Sequence, residues 1–341
     1  MFSDRPVVLI LDDREQLVRA APAMRRLQEL CRVVALDAPI DQAKDPELAE
    51  VSLLLPIRER TRLDRTVLDR LPGLELVVQT GGHAYHADVE ALTRRGIPLS
   101  LMRHATAVTR AMPELTLMLA IACARRMPEV QNVLDSPTWR VPPGRTLAGR
   151  RVGILGLGRH GQQAARAFRA IGMDVVAWAR ESSDGRPVEL DGWPIPRLSL
   201  EELLATSDVV SIHLRLSHES AGLIGASELA GMKKDAILVN TSRGAILDET
   251  ALVAALSDGA LGAAGLDVYA AEPLALDSPL RGLPNVVLTP HIGWQVQEVF
   301  EEFAAIGTTQ IEAWLDGRLP RAQLANPGVQ LPLSCRGGLE P

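Results

Sequence analysis

Three side chains with complementary chemistry follow predicted strands in the second half of the chain. The segment Leu238-Val-Asn-Thr-Ser-Arg-Gly244 puts Arg243 just past a strand. Gly265-Leu-Asp-Val-Tyr-Ala-Ala-Glu-Pro273 puts Asp267 at a strand end and Glu272 in the loop after it. Leu288-Thr-Pro-His-Ile-Gly293 puts His291 after the last strand. A guanidinium holds a carboxylate and polarises a carbonyl. An imidazole gives or takes a proton near neutrality, and a carboxylate beside it orients the ring and raises its pKa. Hydride transfer between a 2-keto acid and a 2-hydroxy acid needs all three. Taken singly, each residue also has a plainer reading: a surface charge, a helix cap, a solvated turn.

What precedes them gives them weight. Residues 151–162 read Arg-Val-Gly-Ile-Leu-Gly-Leu-Gly-Arg-His-Gly-Gln, and a helix-like run then leads to the apolar stretch Met173–Arg180. A strand, Gly156-x-Gly158-x-x-Gly161, a helix and a second strand together form a dinucleotide-binding fingerprint. Gly156 permits the tight turn, Gly158 lets the backbone approach a pyrophosphate, and Gly161 lets the helix pack on the strand. The helix N-terminus turns its positive end to the phosphates.

Stepping outward, short apolar runs alternate with helical patterns along most of the chain. Val7–Leu11, Val33–Leu36, Ser52–Ile57, Leu74–Gln79 and Ile97–Leu101 read as one parallel sheet. Val152–Leu155, Val175–Trp178, Val209–His213, Ala236–Asn240, Ala263–Asp267 and Val286–Leu288 read as a second, doubly wound one. A longer helix over residues 110–127 is expected to end near Pro128, and residues 132–150, with Pro137, Pro142, Pro143 and Gly144, to run extended. Another helix runs to about Leu315, and residues 318–341 read as a loose tail. The expected fold is α/β: a Rossmann domain, residues 105–290, inserted into a flavodoxin-like substrate domain, 1–104 and 291–341. Two domains joined by two crossings make a cleft suited to small ligands.

The three strand-end segments and the fingerprint, in this order and spacing, resemble the D-isomer-specific 2-hydroxyacid dehydrogenase family over about residues 50–317. The resemblance implies an NAD(P)-dependent oxidoreductase. It implies His291 as general acid/base, Glu272 as its tuning partner, Arg243 as substrate anchor and Asp267 as a contact of the nicotinamide carboxamide. It gives the stretch Thr80-Gly-Gly-His83 as a loop whose amides take the substrate carboxylate, with Gly82 and His83 as substrate residues. Cofactor contacts are expected at Gly156, Gly158, Arg159, His160, Gly161, Arg180, Thr241 and Asp267. His160 replaces a residue usually apolar in the family, and either packs or touches phosphate. The remaining histidines, His86, His104, His213 and His218, read as structural or surface residues.

Where an NAD site usually carries an acid, at the end of the second strand, the chain reads Ala179-Arg180-Glu181. This favours NADP over NAD, unless Glu181 takes the ribose. The substrate loop continues Ala-Tyr-His86, away from the commonest family wording, and leaves the substrate side chain open. Trp139 is either a local packing anchor or a contact to a second subunit, since family dimers pair through the cofactor domain. Family corepressors keep the same residues yet act through protein contacts, so a dinucleotide-sensing binding protein is the alternative. A formate-dehydrogenase-like activity would pair the histidine with an amide, and Glu272 argues against it.

The 341 residues carry a net charge of -6, with 47% hydrophobic and 23% charged residues. That suits a globular protein of two domains and implies no broad nucleic-acid surface. Cys31, Cys123 and Cys335 are too far apart for a metal cluster or disulfide framework, which fits a reducing cytoplasm. The N-terminal apolar run is a strand and not a leader, and no apolar run is expected to span a bilayer.

Overall fold

The computed structural model describes residues 5–179, 187–333, 335 and 337–340. They form two compact units, Met1–Ala107 with Val296–Pro341, and Val108–Gln295. In the first unit, β1 (Val7–Leu11), β2 (Arg32–Leu36), β3 (Val51–Pro56), β4 (Leu76–Gln79) and β5 (Leu99–Leu101) make a parallel sheet in the order β2-β1-β3-β4-β5. β1, β3 and β4 are buried throughout, which is why they read as unbroken apolar runs. The strand order reverses between β1 and β3. The loops after these two strands therefore flank a topological switch point, where such sheets bind ligands.

Residues 318–333 are not a loose tail. Leu324 pairs antiparallel with Ser100 on the open edge of β5, and Leu319, Leu324 and Val329 are buried. The buried Asn326 carboxamide fixes this segment. Its Oδ1 accepts from the Leu99 N–H (2.9 Å), and its Nδ2 donates to the Ile97 carbonyl (3.0 Å) and Thr93 Oγ1 (3.1 Å). An edge strand offers unpaired backbone groups, and the proline-rich segment satisfies them.

The second unit holds β6 (Arg151–Leu155), β7 (Asp174–Trp178), β8 (Val188–Leu190), β9 (Trp193–Ile195), β10 (Val209–Ile212), β11 (Ile237–Asn240), β12 (Ala263–Leu266) and β13 (Val286–Leu288). Its six-stranded parallel sheet runs β13-β12-β11-β10-β6-β7. Beyond β7 the next strand is reduced to one bridge, Ala177 to Arg197. β8 and β9 form a small antiparallel hairpin that the sequence pattern does not announce. Alternate residues face two cores. Val152, Ile154, Val209, Ile237 and Val239 pack with Leu119, Cys123, Ala164 and Phe168. Leu155, Val210, Ile212 and Leu238 pack with Leu203, Leu229, Leu252 and Leu256.

Three expectations are corrected. The long helix spans Ala107–Ala124, and Pro128 lies in the first turn of a further helix, Met127–Val133, where its missing N–H has no intrahelical partner to lose. By length and composition alone, Ala107–Ala124 is apolar enough to cross a membrane, contrary to the reading that no run is; its Leu119, Ala120 and Cys123 are packed into the core instead. The units divide after Ala107 and Gln295, later than the expected 104 and 290. Glu302 of the helix Gln297–Leu315 accepts from the amides of Thr106 (2.8 and 2.9 Å) and Ala107 (2.8 Å), holding them with the first unit. Asp267 accepts from the amides of Ile292 and Gly293, holding those with the second.

Asn326→Ala strands the buried Leu99 amide and Ile97 carbonyl. Its expected cost is about 2–4 kcal/mol, read by denaturant unfolding. A change within error would mean that the C-terminal segment contributes no stability to this sheet.

Candidate active site

The ends of β11, β12 and β13 lie side by side, so the loops after them are neighbours. After β12, the buried Asp267 organises the turn beyond β13. Its Oδ1 accepts from Thr289 Oγ1 (2.6 Å) and the Ile292 amide (2.8 Å), and its Oδ2 from the Gly293 amide (2.9 Å). Burial raises its pKa, opposed by these three donors and by His291. A Cβ at Gly293 would sit 2.5 Å from the Met112 sulfur and 3.1 Å from Asp267 Oδ2, so a larger residue here would require the Met112 side chain to move.

The turn throws His291 into the left-handed region, with φ of 56°. Such a conformation is strained for a non-glycine residue and persists only where its surroundings enforce it. It brings His291 Nδ1 to 2.7 Å from Glu272 Oε2. The other carboxylate oxygen accepts from the Tyr269 amide at 3.1 Å. The Tyr269 hydroxyl donates to the carbonyls of Leu266 (3.2 Å) and Thr289 (2.8 Å), tying both loops together. Burial pushes Glu272 up, but the His291 bond and charge, the Tyr269 amide and the Arg243 charge outweigh it, so its carboxyl lies below its ordinary value. An ionised carboxylate only accepts. The shared proton is therefore assigned to Nδ1, leaving Nε2 to face a ligand. Both side chains are about one-third exposed, at 31% and 35%.

Arg243 follows β11 and precedes the short turn Gly244–Ile246. Asn240 shapes its loop, donating to the Arg243 carbonyl (2.9 Å) and accepting from the Ser242 amide (3.0 Å). The guanidinium donates to the Ser242 carbonyl at 2.7 Å. Gly244 lets this loop touch the next one, since a Cβ would fall 1.9 Å from the Tyr269 carbonyl carbon.

At the switch point of this sheet, between β6 and β10, lies the glycine loop. Gly156 has φ of 97°, and a Cβ at Gly161 would lie 1.9 Å from the Gly156 carbonyl oxygen. A Cβ at Gly158 would meet no protein atom within 4 Å. Space beside Gly158 is thus left to a ligand, at the head of the helix Arg159–Ala170, whose first amides have no intrahelical acceptor. Arg159 is exposed there and His160 half-buried. These features fit the pyrophosphate of a dinucleotide. Thr241 is buried, with its hydroxyl 2.9 Å from Thr116 Oγ1. Arg180 and Glu181 lie outside the described residues.

In the first unit, Thr80–His83 follows β4. Gly82 is exposed, and His83 Nδ1 lies 3.0 Å from Glu59 Oε1. Glu59, Thr289, Tyr269 and Thr116 were not singled out from sequence. Thr289 had a signal, standing two residues before His291. The other three have none, because their partners are set by loop geometry.

The two glycines separate folding from binding. Gly161→Ala is expected to destabilise the second unit by about 1–3 kcal/mol or more, since backbone must move. Gly158→Ala is expected to fold within about 1 kcal/mol of wild type and to weaken nicotinamide dinucleotide binding more than about tenfold. Thermal unfolding and fluorescence titration read the two effects. Undiminished binding by Gly158→Ala would remove the loop from the cofactor site.

Residues 117–293 match the family model described as D-isomer specific 2-hydroxyacid dehydrogenase, NAD binding domain. A D-3-phosphoglycerate dehydrogenase of Mycobacterium bovis is 37% identical over 296 residues, covering 86% of this chain and 54% of that protein. The chain thus spans about half the length of that relative. A glyoxylate reductase of Aeropyrum pernix is 39% identical over 268 residues, covering 76% and 78%. The crystal structure of a phosphoglycerate oxidoreductase from Vibrio cholerae superposes with a TM-score of 0.79 at 31% identity, covering 90% and 98%. With its glycine loop, its sheet order and its strand-end residues, the chain belongs to the D-isomer specific 2-hydroxyacid dehydrogenase family.

Proposed function

We propose that the protein reduces a small 2-keto acid to the 2-hydroxy acid, or runs the reverse, with a nicotinamide dinucleotide. The observation that carries this reading is the 2.7 Å contact between His291 and Glu272 beside the loop of Arg243. The bound cofactor supplies the hydride. Arg243 holds the substrate carboxylate and steadies negative charge on the carbonyl oxygen. His291 gives that oxygen a proton from Nε2, while Glu272 keeps the ring oriented and offsets its positive charge. Asp267 serves the nicotinamide carboxamide with its remaining acceptor capacity. The amides of Thr80–His83 are the second hold on the substrate carboxylate. The relatives above are named for dehydrogenase or reductase activity, which gives the binding-protein alternative no support.

The domain assignment belongs to the same reading: the second unit takes the cofactor and the first contributes the substrate loop. A homodimer paired through the cofactor domain is also part of it. Trp139 is 66% exposed, which argues against a local packing anchor, and Leu134 and Val141 beside it are exposed too. Exposed apolar side chains within one short stretch of sequence suit a subunit interface. A cytoplasmic location fits three free cysteines. NADP is favoured over NAD, because Ala179 places no carboxylate at the end of β7.

His291→Ala is expected to lower turnover by about 10²–10⁴ with cofactor binding preserved; near-normal turnover would dismiss it as acid/base. Because the Glu272 carboxyl is depressed in the folded protein, its pairing stabilises the fold fully above the ordinary value of 4.5. That contribution is lost as pH falls through the lower folded value. Glu272→Gln should therefore lower the melting temperature at neutral pH, and the gap to wild type should close below pH 4.5. A gap independent of pH would contradict the ionised pair. For the cofactor, NADPH should give the higher kcat/KM, and Arg180→Ala should erode that preference roughly tenfold or more. A wild type that prefers NADH would assign the ribose to Glu181.

A further inference from the structure

The loop proposed to take the substrate carboxylate has neighbours that bear on the rest of the substrate. Arg58 and Glu59 follow β3, at the switch point of the first sheet. Arg58 is held in the left-handed region, with φ of 58°. Its amide donates to Thr80 Oγ1 at 2.6 Å, and its carbonyl accepts from Gln79 Nε2 at 3.0 Å. Its guanidinium lies against the Thr80–His83 loop, where a Cβ at Gly81 would be 2.5 Å from Nη1. Glu59 Oε2 is 3.6 Å from Arg58 Nε, and Glu59 Oε1 is 3.0 Å from His83 Nδ1. The His83 ring stacks on exposed Tyr85, with centroids 4.6 Å apart.

This trio carries little net charge. With neutral imidazole, Arg58, Glu59 and His83 sum to zero; with imidazolium, to one positive charge. With the substrate carboxylate on Arg243, the trio offers the rest of the substrate at most one positive charge, less than a phosphoryl dianion carries. Two of the neighbouring cations are paired with carboxylates. Arg60 is paired twice with Glu15, at 2.7 and 2.6 Å, and Arg14 with Asp12 at 3.3 Å. Arg103, whose Cα approaches Gly82, donates to the Leu324 carbonyl at 3.2 Å. Arg62 is turned to solvent. A phosphoryl dianion needs surplus positive charge and donors. Here it would meet a carboxylate instead.

We infer that the substrate is an unphosphorylated 2-keto or 2-hydroxy acid, and that Glu59 is the residue that rejects a phosphorylated side chain. This rests on the proposed substrate role of Thr80–His83. It also separates the protein from the phosphoglycerate enzymes among its relatives.

The test compares kcat/KM for hydroxypyruvate and 3-phosphohydroxypyruvate with NADPH and NADH. Wild type is expected to favour hydroxypyruvate by at least about 100-fold, the consequence of a like-charge contact. Glu59→Gln, which keeps the shape and removes the charge, should narrow that ratio about tenfold, and Glu59→Ser should do the same. Preference for the phosphorylated acid in wild type, or a ratio unmoved by both variants, overturns the inference and leaves the dehydrogenase reading standing. If neither acid nor glyoxylate is reduced, the dehydrogenase reading fails. Calorimetric titration with glycerate and 3-phosphoglycerate then decides the site: tighter binding of glycerate supports the inference, and tighter binding of the phosphate ester contradicts it.

Discussion

One buried carboxylate sets the geometry on which the proposed chemistry depends. Asp267 gathers the Thr289 hydroxyl and the Ile292 and Gly293 amides onto its two oxygens. Three donors converging on one acceptor group leave the turn little freedom. His291 is thereby held at φ of 56° with its ring against Glu272. Without that acceptor, two backbone amides would lose their partner and the strained turn its support. The Tyr269 hydroxyl reinforces the arrangement by bonding the carbonyl ends of both loops.

This local network works because the sheet delivers its parts to one edge. β11, β12 and β13 are adjacent and parallel, so their C-terminal loops emerge side by side. Burial of both sheet faces fixes the strands' register and leaves only the loops to vary. Gly244 lets neighbouring loops approach, and Gly161 lets the cofactor helix approach its strand. The same logic operates in the first sheet, where the reversal between β1 and β3 puts Arg58 and Glu59 beside the Thr80–His83 loop.

Much of this was legible from residue order. The apolar runs gave the strands to within two residues at most ends, because strands buried on both faces cannot alternate with polar residues. The family's spacing drew attention to Arg243, Asp267, Glu272 and His291. What escaped was long-range. The bridge from Leu324 to Ser100 depends on an open sheet edge that no local pattern reveals. The β8–β9 hairpin is only three residues a side. Pro128 reads as a stop in sequence because proline both ends and begins helices, and only the following turn tells which. The pairing of His83 with Glu59 joins loops 24 residues apart, a distance over which spacing carries no signal.

The central claim is that Glu272, held with His291 by the Asp267 turn, fixes the proton on Nδ1 and leaves Nε2 for the substrate. Nitrogen-15 NMR of the labelled histidine ring tests this directly, by comparing the two nitrogen shifts of His291 in wild type and in Glu272→Gln. The account predicts Nδ1 protonated in the neutral ring of wild type, with that preference weakened in the variant. A neutral ring protonated on Nε2 in wild type, or identical spectra for the two proteins, would contradict it.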